Sequence, residues 1–275
     1  MKVLRRVTRT HPLFYCFLWI SLLFTTQPAG AAPFETVSTP RFTLYIQQSL
    51  REETRFVNAA DITSQSLTLL DQNYEELSRI FNARPTNRVV LRFLSPSEFH
   101  RHTGAPGWTS AMYFRGEISI PVDTDKPMSF QQLSRALRHE YVHAVVAELS
   151  GGKCPAWMDE GLAQIIEGKP NTILGPALRA WLTNDDPLPL NWLDGGFTTL
   201  NDDLVPVAYA QSFFATKSLI NQKGFVAVSK YLQLLRAGSP PENGFQAAFG
   251  VSLRSFEADV SQQLVRWWES DLREP

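Results

Sequence analysis

Residues 138–144 read Arg-His-Glu-Tyr-Val-His-Ala, and residues 154–163 read Cys-Pro-Ala-Trp-Met-Asp-Glu-Gly-Leu-Ala. His139 and His143 are four positions apart. On a helix that spacing puts both imidazoles on one face, with Cβ atoms about 5–6 Å apart. Two imidazoles held this way can share one zinc ion at about 2.0–2.1 Å. Glu140 follows the first histidine and can reach a water on that metal, as a general base must. Glu160 can bring a third, carboxylate ligand from the next helix. Two histidines, one glutamate and an open fourth position describe a catalytic zinc site, whereas a closed structural site takes four protein ligands. Only five histidines occur in the chain, and two of them lie in this motif.

The His139-Glu140-x-x-His143 motif, followed by Trp157-x-x-Glu160-Gly161-Leu162-Ala163, resembles the gluzincin zinc metallopeptidases. More narrowly it is similar to small bacterial peptidase-MA-like domains, which follow these motifs with a helix of the type seen here as Tyr209-Ala210-Gln211-Ser212. The likeness extends loosely over residues 85–270. It implies that His139, His143 and Glu160 bind Zn2+, that Glu140 is the catalytic base, and that the metal lies in a cleft between a sheet and a helical half. The substrate implied is a peptide or protein.

Other residues are candidates for supporting roles. Tyr209 is the candidate donor to the oxyanion, since a phenol can hydrogen-bond that oxygen without competing strongly for zinc. His100 and His102 are rival donors, but their polar surroundings suit a solvated loop. Ligand histidines usually give their second N–H to an acceptor. Gln164, one turn beyond Glu160, is the candidate, where some gluzincins carry aspartate. Asp159 reads as a residue favouring the helix N-terminus, Trp157 as packing, and Cys154 as a small buried hydrophobe. Glu117 to Val122 could accept an extended peptide by strand addition.

Compartment follows from the N-terminus. Lys2, Arg5, Arg6 and Arg9 precede an apolar run from Leu13 to Thr25, and Ala29-Gly30-Ala31 suits signal cleavage. Residues 1–31 are therefore expected to be a signal peptide, and 32–275 a single metallopeptidase-like domain, exported to the periplasm or beyond. The apolar run is too short for a confident membrane span, though retention as an anchor is the alternative. Its removal takes four basic and no acidic residues, moving the net charge from −1 to −5. No basic patch points to nucleic acid. Cys154 is then the one cysteine left, which precludes an internal disulfide. Oligomeric state is not legible.

The elements that must position these groups come from periodicity and punctuation. Residues 32–40 read as a lead-in. Alternation of Phe42, Leu44 and Ile46 predicts a strand, and the compact apolar run Val89–Leu94 a buried one. An apolar stripe from Leu67 to Phe81 predicts a helix over 52–83, stopped by Pro85. Strands at 111–114 and 117–122 flank an Arg115-Gly116 turn, with Pro121 placing the second at an edge or at its own end. Ser129 with Gln132 forms a capping box for the metal helix, which Gly151-Gly152 ends. A second helix carries Trp157 to Glu167. Further helices are expected over 174–183, 206–222, 225–236 and 252–271, with a linker at 184–205. The fold class expected is α+β, a small twisted N-terminal sheet followed by an active-site helix and a helical C-terminal half. The competing function class is a non-catalytic module that binds peptide or cell-wall material. The presence of Glu140 favours the enzyme, although a peptidase and another amide hydrolase read alike.

Overall fold

The computed structural model describes residues 34–48, 50, 59–123, 125–126, 128–168, 174–197 and 200–269. The expected signal peptide and its cleavage point lie outside these residues. Five strands form one mixed sheet: β1 (Phe34–Ser38), β2 (Phe42–Gln47), β3 (Val89–Leu94), β4 (Met112–Phe114) and β5 (Glu117–Pro121), in the order β1-β2-β3-β5-β4. The central pairs β2–β3 and β3–β5 are parallel and the outer pairs antiparallel. Alternation puts Leu44, Leu91 and Ile118 in one row and Ile46, Phe93 and Ile120 in the next, all buried. The opposite face carries Tyr45, Arg92, Glu117 and Ser119.

Two expectations about the sheet are corrected. Residues 34–38 are a strand, not a lead-in. Only its pairing with β2 makes it one, because its own pattern is largely exposed and shows no apolar alternation. Glu117–Pro121 lies inside the sheet, with β3 on one side and β4 on the other, so its backbone groups are taken and a peptide cannot add to it. Pro121 ends the strand, and among the described residues the edges of the sheet are β1 and β4. Arg115 and Gly116 both have positive φ, at 47° and 90°, which is the tight two-residue turn that matches strand twist.

Helices complete the class predicted, α+β. They are α1 (Ala59–Ile80), α2 (Pro96–Thr103), α3 (Phe130–Ser150), α4 (Ala156–Glu167), α5 (Leu174–Leu182), α6 (Val205–Arg236), α7 (Pro241–Phe249) and α8 (Leu253–Glu269), with a 3-10 turn at Leu190–Leu193. Helix α1 stops before Pro85. Asn82 takes φ 47° and Ala83 N–H reaches back to Ser78 O, so a left-handed cap ends the helix. Ser95-Pro96-Ser97-Glu98 reads as a helix start with a short segment to Thr103, and α2 is that helix with Ser95 as its cap, so His100 and His102 lie on it and not on the solvated loop that their polar surroundings suit. Helix α3 has the expected capping box at Ser129 and Gln132 and a left-handed Gly151. Helix α6 is interrupted at Gly224 (φ 73°, ψ 169°), a conformation open to glycine, which separates the two helices the sequence predicts. Helix α7 was not expected. Its Phe245 and Phe249 pack on Tyr231 of α6, and this tertiary contact outweighs a short segment opened by Pro240-Pro241.

Helix α3 runs between the two halves. Tyr141 packs edge-on to Phe42 of β2, ring centroids 5.7 Å apart, while the histidine face turns to α4.

Candidate metal centre

On α3 the apolar residues Leu137, Tyr141, Val142, Val145 and Val146 are buried. Between them His139 and His143 project together, their rings 4.9 Å apart. Glu160, one turn into α4, meets both. Its Oε2 lies 3.6 Å from His139 Nε2 and 3.8 Å from His143 Nε2. Donors on one tetrahedral zinc with bonds of about 2.0–2.1 Å stand about 3.3–3.4 Å apart, so Glu160 Oε2 is within a few tenths of an ångström of that spacing from each imidazole nitrogen. The stronger test is chemical. Glu160 Oε2 is inaccessible to water and has no hydrogen-bond partner, a costly state for a carboxylate oxygen unless a cation meets it. Nitrogen and oxygen donors in this number suit Zn2+. Among the described residues these three form the one cluster whose donor atoms all lie within 4.8 Å.

The remaining predicted residues divide. Glu140 is buried, 7% exposed, and its Oε2 accepts from the backbone N–H of Tyr113 on β4 at 2.6 Å. Tyr209 comes to the site from α6, with its hydroxyl donating to Glu160 Oε1 at 3.5 Å and Phe197 edge-on to its ring. His102 instead binds Glu117 Oε1 at 2.6 Å, and His100 Nδ1 lies 3.2 Å from Ala105 O. Gln164 is not the partner of a ligand histidine, since its Nε2 donates to the backbone carbonyls of Glu160 and Tyr209. Helix α4 presents Glu167 and Asp159 instead. Glu167 Oε2 is 3.0 Å from His139 Nδ1, and Asp159 Oδ1 is 2.9 Å from His143 Nδ1. Asp159 is therefore tied to a histidine rather than merely placed at a helix start.

The electrostatics of the metal-free chain show how acidic this centre is. Burial disfavours the charged form of His139, yet the carboxylates of Glu160 and Glu167 overcome it and hold the pKa well above the usual histidine value. His143 is likewise desolvated but pushed up to about 9 by Asp159 and Glu160. Burial raises Glu160, and His143 and His139 more than reverse that. Glu140 remains raised, because burial outweighs the two histidines. Burial also raises the Tyr209 phenol and the Cys154 thiol. Cys154 packs against the core, as a small hydrophobe does.

Close packing explains two residues whose role the motif alone leaves open. A Cβ on Gly161 would stand 2.1 Å from Thr216 Oγ1 and 2.5 Å from Ser212 O. Glycine is what lets α4 approach α6 backbone to side chain, and that approach brings Glu160 and Tyr209 together. Gln211, buried at 1% exposure, accepts from Leu188 N–H at 2.8 Å and donates from its amide to Leu188 O, so it clamps the 184–197 segment onto α6. Trp157 is buried and stacks on Phe256 of α8, centroids 6.1 Å apart at 26°. One missed residue did have a sequence signal. Glu167 is seven positions after Glu160, about two helical turns, and so shares its face.

No curated protein matches the chain in sequence. Among solved structures, a mutant of the M1 zinc metallopeptidase from Deinococcus radiodurans is similar at 17% identity and TM-score 0.44, over 88% of this chain and 54% of that one. A mutant two-domain M1 zinc metallopeptidase bound to L-arginine is similar at 18% identity and TM-score 0.41, over 88% and 53%. The chain thus spans about half the length of each. The Peptidase MA superfamily matches residues 105–266, a stretch that takes in α3, α4 and α6 with every donor of the metal centre. The chain belongs to the Peptidase MA superfamily.

Proposed function

We propose that this chain is a zinc-dependent peptidase of the cell envelope, with His139, His143 and Glu160 as metal ligands and Glu140 as general base. The observation that carries the reading is the buried, unpartnered Glu160 Oε2 facing two imidazole nitrogens, with Glu140 on the same helix turn. Bound zinc supplies a Lewis acid and lowers the pKa of a coordinated water to about 7. The protein supplies the rest. Tyr113 N–H fixes Glu140 Oε2, which leaves Oε1 to take the proton of the attacking water and pass it to the leaving amine. Tyr209 holds its hydroxyl on Glu160 by a long contact, and release of that contact lets the phenol donate to the oxyanion of the scissile amide. The free edge of β4 carries the same Tyr113 that holds Glu140, so a peptide extended along β4 would run beside the base.

The envelope location rests on the basic, apolar and Ala29-Gly30-Ala31 features of the N-terminus. Among the described residues no helix is long and apolar enough to cross a membrane. N-terminal sequencing of the exported chain is expected to begin at Ala32, and an intact Met1 in the membrane fraction would replace cleavage with anchoring. The activity is tested by metal analysis of the purified mature protein with turnover of a broad peptide library. One zinc per chain and cleavage abolished by chelation are expected. A chain that takes up no zinc, or cleaves equally after chelation, overturns the reading.

A further inference from the structure

The last turn of α4 is gripped by three residues of the metal helix, at positions i, i+3 and i+4. Arg135 Nε donates to Glu167 Oε1 at 2.7 Å, and its Nη2 makes a second, closer contact with the same oxygen. Arg138 donates to the carbonyl of Ile166 and pairs with Glu76 of α1 at 2.6 Å and 2.7 Å. His139 Nδ1 takes the other Glu167 oxygen, Oε2, at 3.0 Å. The Glu167 carboxylate is thus divided, one oxygen held by a cation and the other by a ligand histidine. Its side chain is 12% exposed, so water competes little for it.

We propose that Glu167 is the positioning residue for His139 and that Arg135 acts through it, as a clamp that sets the donor strength of the metal centre. The inference rests on the zinc reading above. An acceptor at Nδ1 fixes the tautomer with the proton on that nitrogen, which leaves the Nε2 lone pair for a metal. A carboxylate does this more strongly than an amide, because its charge stabilises the electron-poor ring of a metal-bound imidazole. A free carboxylate on a helix end would also sample several rotamers. Arg135, one turn before His139 on α3, removes that freedom because its fork takes Oε1 and turns Oε2 to the ring. Gln164 stands where an acceptor was expected, but the crossing of α3 and α4 carries it to the α6 side, where it binds Tyr209 O. The same role falls to a residue three positions later.

The test compares zinc affinity in the full mature chain by competition with a calibrated chelator. In wild type, Glu167→Gln, Arg135→Met, Arg135→Lys and the double variant are measured alongside thermal stability of the metal-free protein. Loss of such a partner costs about 10–100-fold in metal affinity. Glu167→Gln is expected to weaken zinc by that factor and to shift the visible spectrum of the Co2+-substituted protein. Arg135→Met should weaken zinc less, Arg135→Lys should recover part of the loss, and the double variant should be no worse than Glu167→Gln alone. Metal-free melting of Arg135→Met within a few degrees of wild type separates this from a folding defect. Wild-type zinc affinity and an unchanged Co2+ spectrum in Glu167→Gln, in a wild type that does bind zinc, would overturn the clamp. Additive losses in the double variant would overturn the claim that Arg135 acts through Glu167. If Glu167→Gln fails to fold, the Arg135 pair decides alone, with equal affinities in Met, Lys and wild type counting against the proposal. A wild type that binds no zinc fails the earlier reading instead.

Discussion

Where α3 meets α4, two histidines and a glutamate converge with donor atoms unused. On the outer face of the sheet, Glu117 meets Arg92, His102 and Ser119 and has none left. Arg92 forks onto both Glu117 oxygens at 2.9 Å, and the Phe34 and Tyr45 rings lie 5.3 Å and 4.7 Å from its guanidinium. His102 and Ser119 add bonds of 2.6 Å and 3.1 Å to Glu117 Oε1. Histidine, glutamate and arginine occur in both clusters, so residue type alone does not separate them. In the outer cluster a cation of the protein fills the place a metal would take. At the metal centre Arg135 reaches Glu167, one step out, and Glu160 Oε2 stays unpartnered between two ring nitrogens. Distance of the arginine from the central carboxylate decides whether such a group closes on itself or stays open to an ion.

The largest effect should come from emptying the centre. The double variant His139→Ala, His143→Ala is expected to take zinc from one per chain to none, read by metal analysis; full zinc would move the site elsewhere. The Glu117→Gln variant is the matched control and should keep its zinc. Next, Glu140→Gln preserves shape and metal but removes the base, and turnover should fall by about 10²–10⁴-fold. Turnover near wild type in that variant would give the proton to another group. Tyr209→Phe removes a single donor and should lower kcat and kcat/KM together, by about 2.7–4 kcal/mol in barrier. Unchanged kinetics would leave Tyr209 as a support for Glu160 and no more.

Gly161→Ala forces a methyl against Thr216 and Ser212. Such overpacking costs about 1–3 kcal/mol, measurable as a lower denaturation midpoint with weaker zinc, because α4 carries Glu160. A midpoint equal to wild type would mean that α4 and α6 can separate freely. The smallest effect is expected on the outer face. Burial raises the Glu117 pKa, but its bonds to Arg92, with His102 and Ser119, lower it below the usual glutamate value. A depressed pKa in the folded state adds stability above the unfolded value of about 4.3, and that stability is lost as pH falls through the folded value. Glu117→Gln should therefore be less stable than wild type near pH 7, by about 1 kcal/mol for this partly buried pair. The gap should close below about pH 4. A gap independent of pH would show that packing, not charge, holds this cluster.

Much of the centre was legible because its information is local. The spacing of His139 and His143, the capping box at Ser129 and Gln132 and the Gly151 stop all act within one helix. Strand β2 announced itself by alternation, β3 by a compact apolar run, and β4 and β5 by the Arg115-Gly116 turn between them. What only the tertiary structure decided lies between elements. Strand β1 exists because β2 pairs with it, and β5 is interior because β4 folds back beside it, so the edge beside Glu140 is β4 rather than β5. Helix α7 forms against Tyr231. Helical periodicity put Gln164 and Glu167 on one face with Glu160, but which of them meets His139 depends on how α3 crosses α4. That crossing is held by Arg135 and Arg138 of α3 on the last turn of α4, while the bare backbone of Gly161 against Thr216 sets how closely α4 packs on α6. Local sequence determines the face a side chain shares, and packing between distant segments determines what that face meets.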